Sequence, residues 1–159
     1  MNFVLTSPAI EEEGVLPLRY TARGSNVSPP LYWADPPPGT QSYVLIMEDI
    51  SAPIERPLRH WVIYDIPAGR RRLGEGLVAG GRTENLPHAM NDFGHFYYEG
   101  PNVAPEDVPH HYRFRLAALG VRSLGVPPQS RASVVWDTMR DYLLAEAEMV
   151  CVSHPSSPE

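Results

Sequence analysis

Four side chains of this sequence have the chemistry to hold a small anion: Asp49, His60, His110 and Tyr112. An imidazolium and a phenol donate hydrogen bonds to phosphate or carboxylate oxygens, and a carboxylate beside an imidazole favours its charged form. All four stand at or beside the ends of apolar runs, so they can converge on one rim of a sheet. The backbone amides of the turn at Gly100-Pro101 would supply neutral donors beside them. The same residues also fit a plainer role, because histidines beside aromatics commonly pack or lie in exposed loops, and Asp49 before a proline-bearing loop is an ordinary turn residue. Local pattern leaves both readings open.

Other chemistries find less support. Two histidines and an aspartate are ordinary zinc ligands, yet no ligand pair stands at the spacing of HExxH, and the neighbours His110 and His111 point to opposite faces of a strand. No metal is expected. Cys151 has no surrounding signature and reads as a small buried hydrophobe, while no Gly-x-Ser-x-Gly elbow frames Ser51. Neither a Gly-x-x-x-x-Gly-Lys loop nor a Gly-x-Gly-x-x-Gly fingerprint occurs, so no cofactor is expected and no catalytic residue is assigned. The alternative to a binding module is a hydrolase of small esters or phosphates, with a histidine as general base on water.

The elements that would position these groups centre on residues 43–67. Two apolar runs, 43–47 and 61–66, are separated by a loop that opens at Glu48-Asp49 and closes at Arg59-His60. An acid thus sits where the first strand leaves the core and a histidine where the second enters it. Residues 111–119 alternate, with Tyr112, Phe114 and Leu116 on one face and Arg113 and Arg115 on the other, which is a half-buried strand. Residues 1–7, 16–22 and 31–33 read as further strands. The chain has 18 prolines, well above the usual share of about 5%, and they cluster between apolar runs as loop punctuation in a mainly β domain.

Residues 68–95 read as long irregular connections with at most a strand fragment at 77–79, and connections of that length are often functional. Residues 130–149 carry Val135, Met139, Leu143 and Ala147 at spacings of three and four behind Ser130 as N-cap. That pattern predicts an amphipathic helix of about five turns. A short strand at 149–152 and a fraying tail at 154–159 would follow.

Composition sets the frame. The 159 residues, with 43% apolar and 20% charged, fit one globular domain over 1–159. A net charge of −6 argues against nucleic acid or an anionic membrane surface, and Arg70-Arg71-Arg72 is too short a cluster to reverse that. A single cysteine permits no internal disulfide, and no leader-like or membrane-spanning apolar run is present, so a cytoplasmic location is expected.

An ordered set of motifs adds a more specific expectation. Asn26-Val27-Ser28-Pro29-Pro30-Leu31-x-Trp33, Pro38-Gly39-Thr40 and Asp49-x-x-Ala52-Pro53 are followed by His60-Trp61-Val62-x-Tyr64-x-Ile66-Pro67. Asn91-Asp92-Phe93-Gly94, Tyr98-x-Gly100-Pro101 and His110-x-Tyr112-x-Phe114 come next. In this order the chain resembles the phosphatidylethanolamine-binding protein family, in its bacterial and archaeal Raf-kinase-inhibitor-like branch.

The resemblance implies a Greek-key β-sandwich of two antiparallel sheets with a C-terminal amphipathic helix, and a small anion pocket at one edge. The pocket would be made by Asp49, His60, His110 and Tyr112, walled by Ala52-Pro53 and Gly100-Pro101, with Tyr98 nearby and a cis peptide before Pro53. The implied ligand is phosphate-bearing, of the phosphorylethanolamine head-group kind, and the implied wider role is regulatory, with a kinase-like protein partner. Phe96, Tyr97 and Tyr98 could form an apolar patch that supports a homodimer. Two departures stand out. The family's Asp-Pro-Asp-Ala-Pro is here Asp49-Ile50-Ser51-Ala52-Pro53, and the loop after Gly100 carries Glu106 and Asp107, which would repel a phosphate by a screened Coulomb interaction.

Overall fold

The computed structural model of the chain describes residues 2–51, 56–77, 86–104 and 107–153. Its strands are β1 (Val4–Thr6), β2 (Leu31–Ala34), β3 (Ser42–Asp49), β4 (Leu58–Pro67), β5 (Arg72–Leu73), β6 (His111–Leu119) and β7 (Leu143–Val152), with helix α1 (Ala132–Met139) before the last strand. They form two antiparallel sheets, a three-stranded one in the order β1-β2-β5 and a four-stranded one in the order β4-β3-β6-β7. The chain passes from one sheet to the other after β2, after β4 and after β5. The architecture is mainly β with one short helix near the C-terminus.

Strand β3 is buried along its whole length, which is why its sequence is an unbroken apolar run and not an alternation. Tyr43, Leu45 and Met47 meet Leu31, Trp33 and Leu73 of the small sheet. Val44 and Ile46, on the other face, meet Val62 and Tyr64 of β4 and Val135 and Met139 of α1. Each such aliphatic side chain contributes about 1.5–3 kcal/mol on burial, so β3 is the strand on which both cores depend. No helix among the described residues is long and apolar enough to cross a membrane.

Three expectations are corrected. Residues 16–22 are not a strand. Pro17 has no N–H for a ladder, and Leu18–Tyr20 form a helical turn closed by the Thr21 hydroxyl donating to the Leu18 carbonyl at 2.8 Å. The spacing of Leu16 and Tyr20, both in the core, imitates alternation.

The long helix expected over 130–149 ends at Met139, and after one further helical turn at Arg140–Tyr142 the chain becomes β7. Ala147, Met149 and Cys151 are buried on alternate positions, a period that fits a strand as well as the 135/139/143/147 spacing fits a helix. The ambiguity is decided by β6, whose edge β7 pairs from His111↔Val152 to Leu119↔Leu143. Ser130 is not the N-cap. Arg131 holds that position, and the Ser130 hydroxyl donates to the Pro127 carbonyl.

The connection over 68–95 is less irregular than expected, because Arg72–Leu73 completes the small sheet. Leu77 lies outside any strand, with its N–H donating to the Ser28 hydroxyl at 2.9 Å. The rest of the fragment expected at 77–79, and the tail over 154–159, lie outside the described residues.

Candidate functional site

A β-bulge creates the first half of the site. Met47 pairs with Trp61 and Glu48 with Arg59, so His60 is an extra residue in β4 with no partner in β3. The bulge lets His60 and Trp61 both turn toward the inter-sheet side, where the His60 ring stands perpendicular to the Tyr112 ring at 5.4 Å. Asp49, the last residue of β3, lies directly opposite Tyr112 in the ladder. His110 precedes Tyr112 by two residues and so shares its face; the two rings lie 6.4 Å apart. Sheet register thus brings Asp49, His60, His110 and Tyr112 together.

The His110 Nδ1–H donates to Asp49 Oδ2 at 2.7 Å, and Asp49 Oδ1 accepts the Ser51 N–H at 2.8 Å. The carboxylate is nearly enclosed, at 5% side-chain exposure, whereas the imidazole is 29% exposed. Asp49 therefore orients the ring, and Nε2 is the nitrogen left for a ligand. Burial, then the Asp49 carboxylate, push the Tyr112 phenol above its usual range, so its hydroxyl keeps its proton near neutrality.

His60 differs from His110. It is 4% exposed, and its Nδ1 lies 2.6 Å from the Glu99 carbonyl oxygen. A carbonyl only accepts, so Nδ1 carries the hydrogen and Nε2 carries a lone pair. Burial pushes the ring's pKa below its usual value, opposed by the Glu99 carbonyl and by the charges of Asp49, Glu99 and Asp92. His60 is thus a neutral ring. Its Nε2 is buried with no partner among the described residues.

Several contributors were not legible as site residues. The Phe93 ring stands edge-to-face on His60 at 4.9 Å. Asn91 ties the intervening loop to β4: its Nδ2 donates to the carbonyls of His60 (3.1 Å) and Tyr97 (2.9 Å), and its Oδ1 accepts the N–H groups of Phe93 (2.9 Å) and His95 (3.0 Å). The available signal was the string Asn-Asp-Phe-Gly, an aromatic held between turn formers, with Gly94 at φ 84°.

The expected walls divide. The Tyr98 hydroxyl donates to the Tyr20 carbonyl at 2.7 Å and its ring packs edge-on against Trp61. Tyr98 is therefore a buried strut and adds nothing to an exposed aromatic patch. The amide donors expected from the Gly100-Pro101 turn are not free. The Gly100 N–H donates to Asn26 Oδ1 at 2.8 Å, and Pro101 has none to offer. A Cβ at Gly100 would lie 2.3 Å from the Tyr20 carbonyl oxygen, so only glycine lets this turn close against the Tyr20 loop. Ala52, Pro53, the peptide before Pro53 and Glu106 lie outside the described residues, and Asp107 is exposed.

Reactive alternatives are placed unfavourably. Burial pushes the Cys151 thiol up to about 12, which leaves no thiolate near neutrality. The Ser51 hydroxyl oxygen accepts the His111 N–H at 2.9 Å. Among the described residues, no group of three or more His, Cys, Asp or Glu side chains is placed to hold a metal ion.

Burial of neutral imidazoles has a consequence for stability. His88 is enclosed like His60, with Nδ1 at 3.0 Å from the Leu86 carbonyl, and burial lowers both pKa values from 6.5. A depressed native pKa means that the unfolded chain binds protons first, so the contribution is fully present above 6.5 and is lost as pH falls toward the native values. Denaturant midpoints measured between roughly pH 7.5 and 5 are expected to fall with pH. The fall should shrink in a His88→Gln variant, and a flat wild-type midpoint would contradict the burial of both rings as neutral species.

Comparison with known proteins shows the family to which the chain is similar. Residues 6–154 match the family described as phosphatidylethanolamine-binding protein. A UPF0098 protein of Aquifex aeolicus is 39% identical over 135 residues, covering 85% of this chain and 78% of that one. The crystal structure of YbcL from Escherichia coli, described as a member of the mammalian PEBP family, superposes with a TM-score of 0.85 at 28% identity, covering 95% of this chain and 97% of that chain. A phosphatidylethanolamine-binding protein homologue from Chlamydia trachomatis superposes with a TM-score of 0.82 at 28% identity, covering 94% of this chain and 95% of that chain.

Proposed function

Because the chain belongs to the phosphatidylethanolamine-binding protein family, we propose that Asp49, His60, His110 and Tyr112 bind a small anion, the phosphoryl group of a molecule resembling a phospholipid head group. The observation that carries this reading is the Asp49–His110 pair. An enclosed carboxylate accepts the Nδ1–H of a partly exposed imidazole at 2.7 Å and so aims Nε2 outward, where the imidazolium form is a charge-assisted donor to an anionic oxygen. The Tyr112 ring lies beside His110 and the bulged His60 ring stands against Tyr112 in turn, and such partly buried surroundings strengthen a hydrogen bond relative to water. A buried thiol and a serine engaged with backbone favour reversible binding over covalent chemistry.

The test is a proton NMR titration of the assigned His60 and His110 ring resonances with phosphate and with phosphorylethanolamine, with and without a chelator. Saturable shifts of both rings, indifferent to chelator, are the expected result. Rings that do not respond to either compound would refute the proposal. Turnover of chromogenic phosphate esters that is abolished by His60→Ala would replace it with the hydrolase reading.

A further inference from the structure

Resting on that anion-binding reading, we infer that the pocket selects an anion that brings its own hydrogen to His60 Nε2, binding the monoprotonated phosphoryl group in preference to sulfate. His60 Nδ1–H is held by the Glu99 carbonyl at 2.6 Å, which makes Nε2 an acceptor, and that acceptor is buried without a partner among the described residues. A buried acceptor with nothing to accept from is a defect that a ligand can repair.

The surroundings say which ligand. The charged groups that act on His60 are the carboxylates of Asp49, Glu99 and Asp92, from β3 and from the loop that carries Phe93. Each of these carboxylates already has a side-chain partner. Asp92 is paired with Arg56 at 2.9 Å, Glu99 with His95 at 2.7 Å and Asp49 with His110 at 2.7 Å. The His60 end of the site is therefore rich in acceptors and the His110 end offers the donor.

A hydrogen-phosphate group matches both ends. Its P–O⁻ oxygen accepts from His110 Nε2–H, and its P–OH donates to His60 Nε2. Sulfate has the same tetrahedral shape but four acceptor oxygens and no hydrogen near neutral pH. Placed in the same position, it sets an anionic oxygen against the Nε2 lone pair. Inorganic phosphate and an organic phosphomonoester share the required P–OH, so the selection concerns the phosphoryl group and not the molecule that carries it.

The experiment compares the full chain's affinity for sodium phosphate and sodium sulfate by calorimetry at constant ionic strength, near pH 6, where phosphoryl monoanions are abundant (phosphomonoesters lose their second proton at about pH 6). Phosphate is expected to bind tighter by about tenfold or more, although sulfate carries the larger charge. A long-range nitrogen–proton spectrum of the free protein should show the His60 hydrogen on Nδ1 and none on Nε2. His60→Phe, which keeps a ring but removes the acceptor, should bring the two affinities together.

Equal affinities in the wild-type protein, or a hydrogen on His60 Nε2, would overturn the selectivity while leaving an anion site standing. Absence of binding by either anion would overturn the anion-binding reading and this inference with it. Should His60→Phe fail to fold, the wild-type affinity ratio and the nitrogen spectrum still decide.

Discussion

Replacing His110 with alanine is expected to weaken phosphate binding by about tenfold to a hundredfold, the loss of one charge-assisted hydrogen bond. The imidazole is partly exposed, so little core packing goes with it. The larger consequence falls on Asp49, whose carboxylate is enclosed and would keep only the Ser51 N–H as a named partner. An uncompensated carboxylate at the mouth of the site repels the anion that His110 had attracted. It also destabilises the fold, by about 1–3 kcal/mol for a buried polar group deprived of its partner. The double variant Asp49→Asn/His110→Ala separates the two effects. Asparagine still accepts the Ser51 N–H but carries no charge, so stability should recover while phosphate affinity stays low. Calorimetry and denaturant unfolding on the three proteins test this together. Wild-type affinity in His110→Ala would remove the observation on which the proposed function stands.

Glu48→Ala is expected to lower stability by about 3 kcal/mol, toward the low end for breaking a buried ion pair. Glu48 neighbours Asp49 on β3 but points to the opposite face, and it is only 2% exposed. Its Oε1 accepts from Arg113 Nη2 at 2.8 Å, Arg113 Nε at 3.1 Å and Arg115 Nη1 at 3.2 Å. Arg115 also reaches Glu146 at 3.4 Å and lies over the Trp136 ring at 4.2 Å. Alanine would leave two guanidinium groups facing one another on a strand face with no carboxylate between them. Both retain some water, which is why the effect should stay near the bottom of the range. Denaturant unfolding measures it directly. A loss below about 1 kcal/mol would mean that the cluster behaves as a surface network. Because Glu48 and Asp49 are consecutive, the same variant also reports whether the pocket depends on the opposite face: a shift of the His110 ring resonance in Glu48→Ala would show that the end of β3 has moved.

Residues 43–47, 61–66 and 111–119 declared themselves as strands because burial on one face or two imposes an alternating or continuous apolar pattern that any reading of side-chain type can see. Asp49, His60, His110 and Tyr112 were legible for a related reason, since each lies where such a pattern begins or ends. What failed was whatever depended on a partner distant in sequence. Residues 143–149 satisfy a helical period and a strand period equally, and the open edge of β6 chose the strand.

The Gly100 amide looked like a free donor until Asn26, 74 residues away, accepted its hydrogen bond. The sequence left open which imidazole is charged, and the bulge opposite β3 turns His60 inward while the Glu99 carbonyl fixes its tautomer. Which residue types can bind an anion was therefore written in the chain. Which of them donates and which accepts was decided only by the tertiary structure, because burial and hydrogen-bond partners set the protonation of an imidazole and neither is a local property of the sequence.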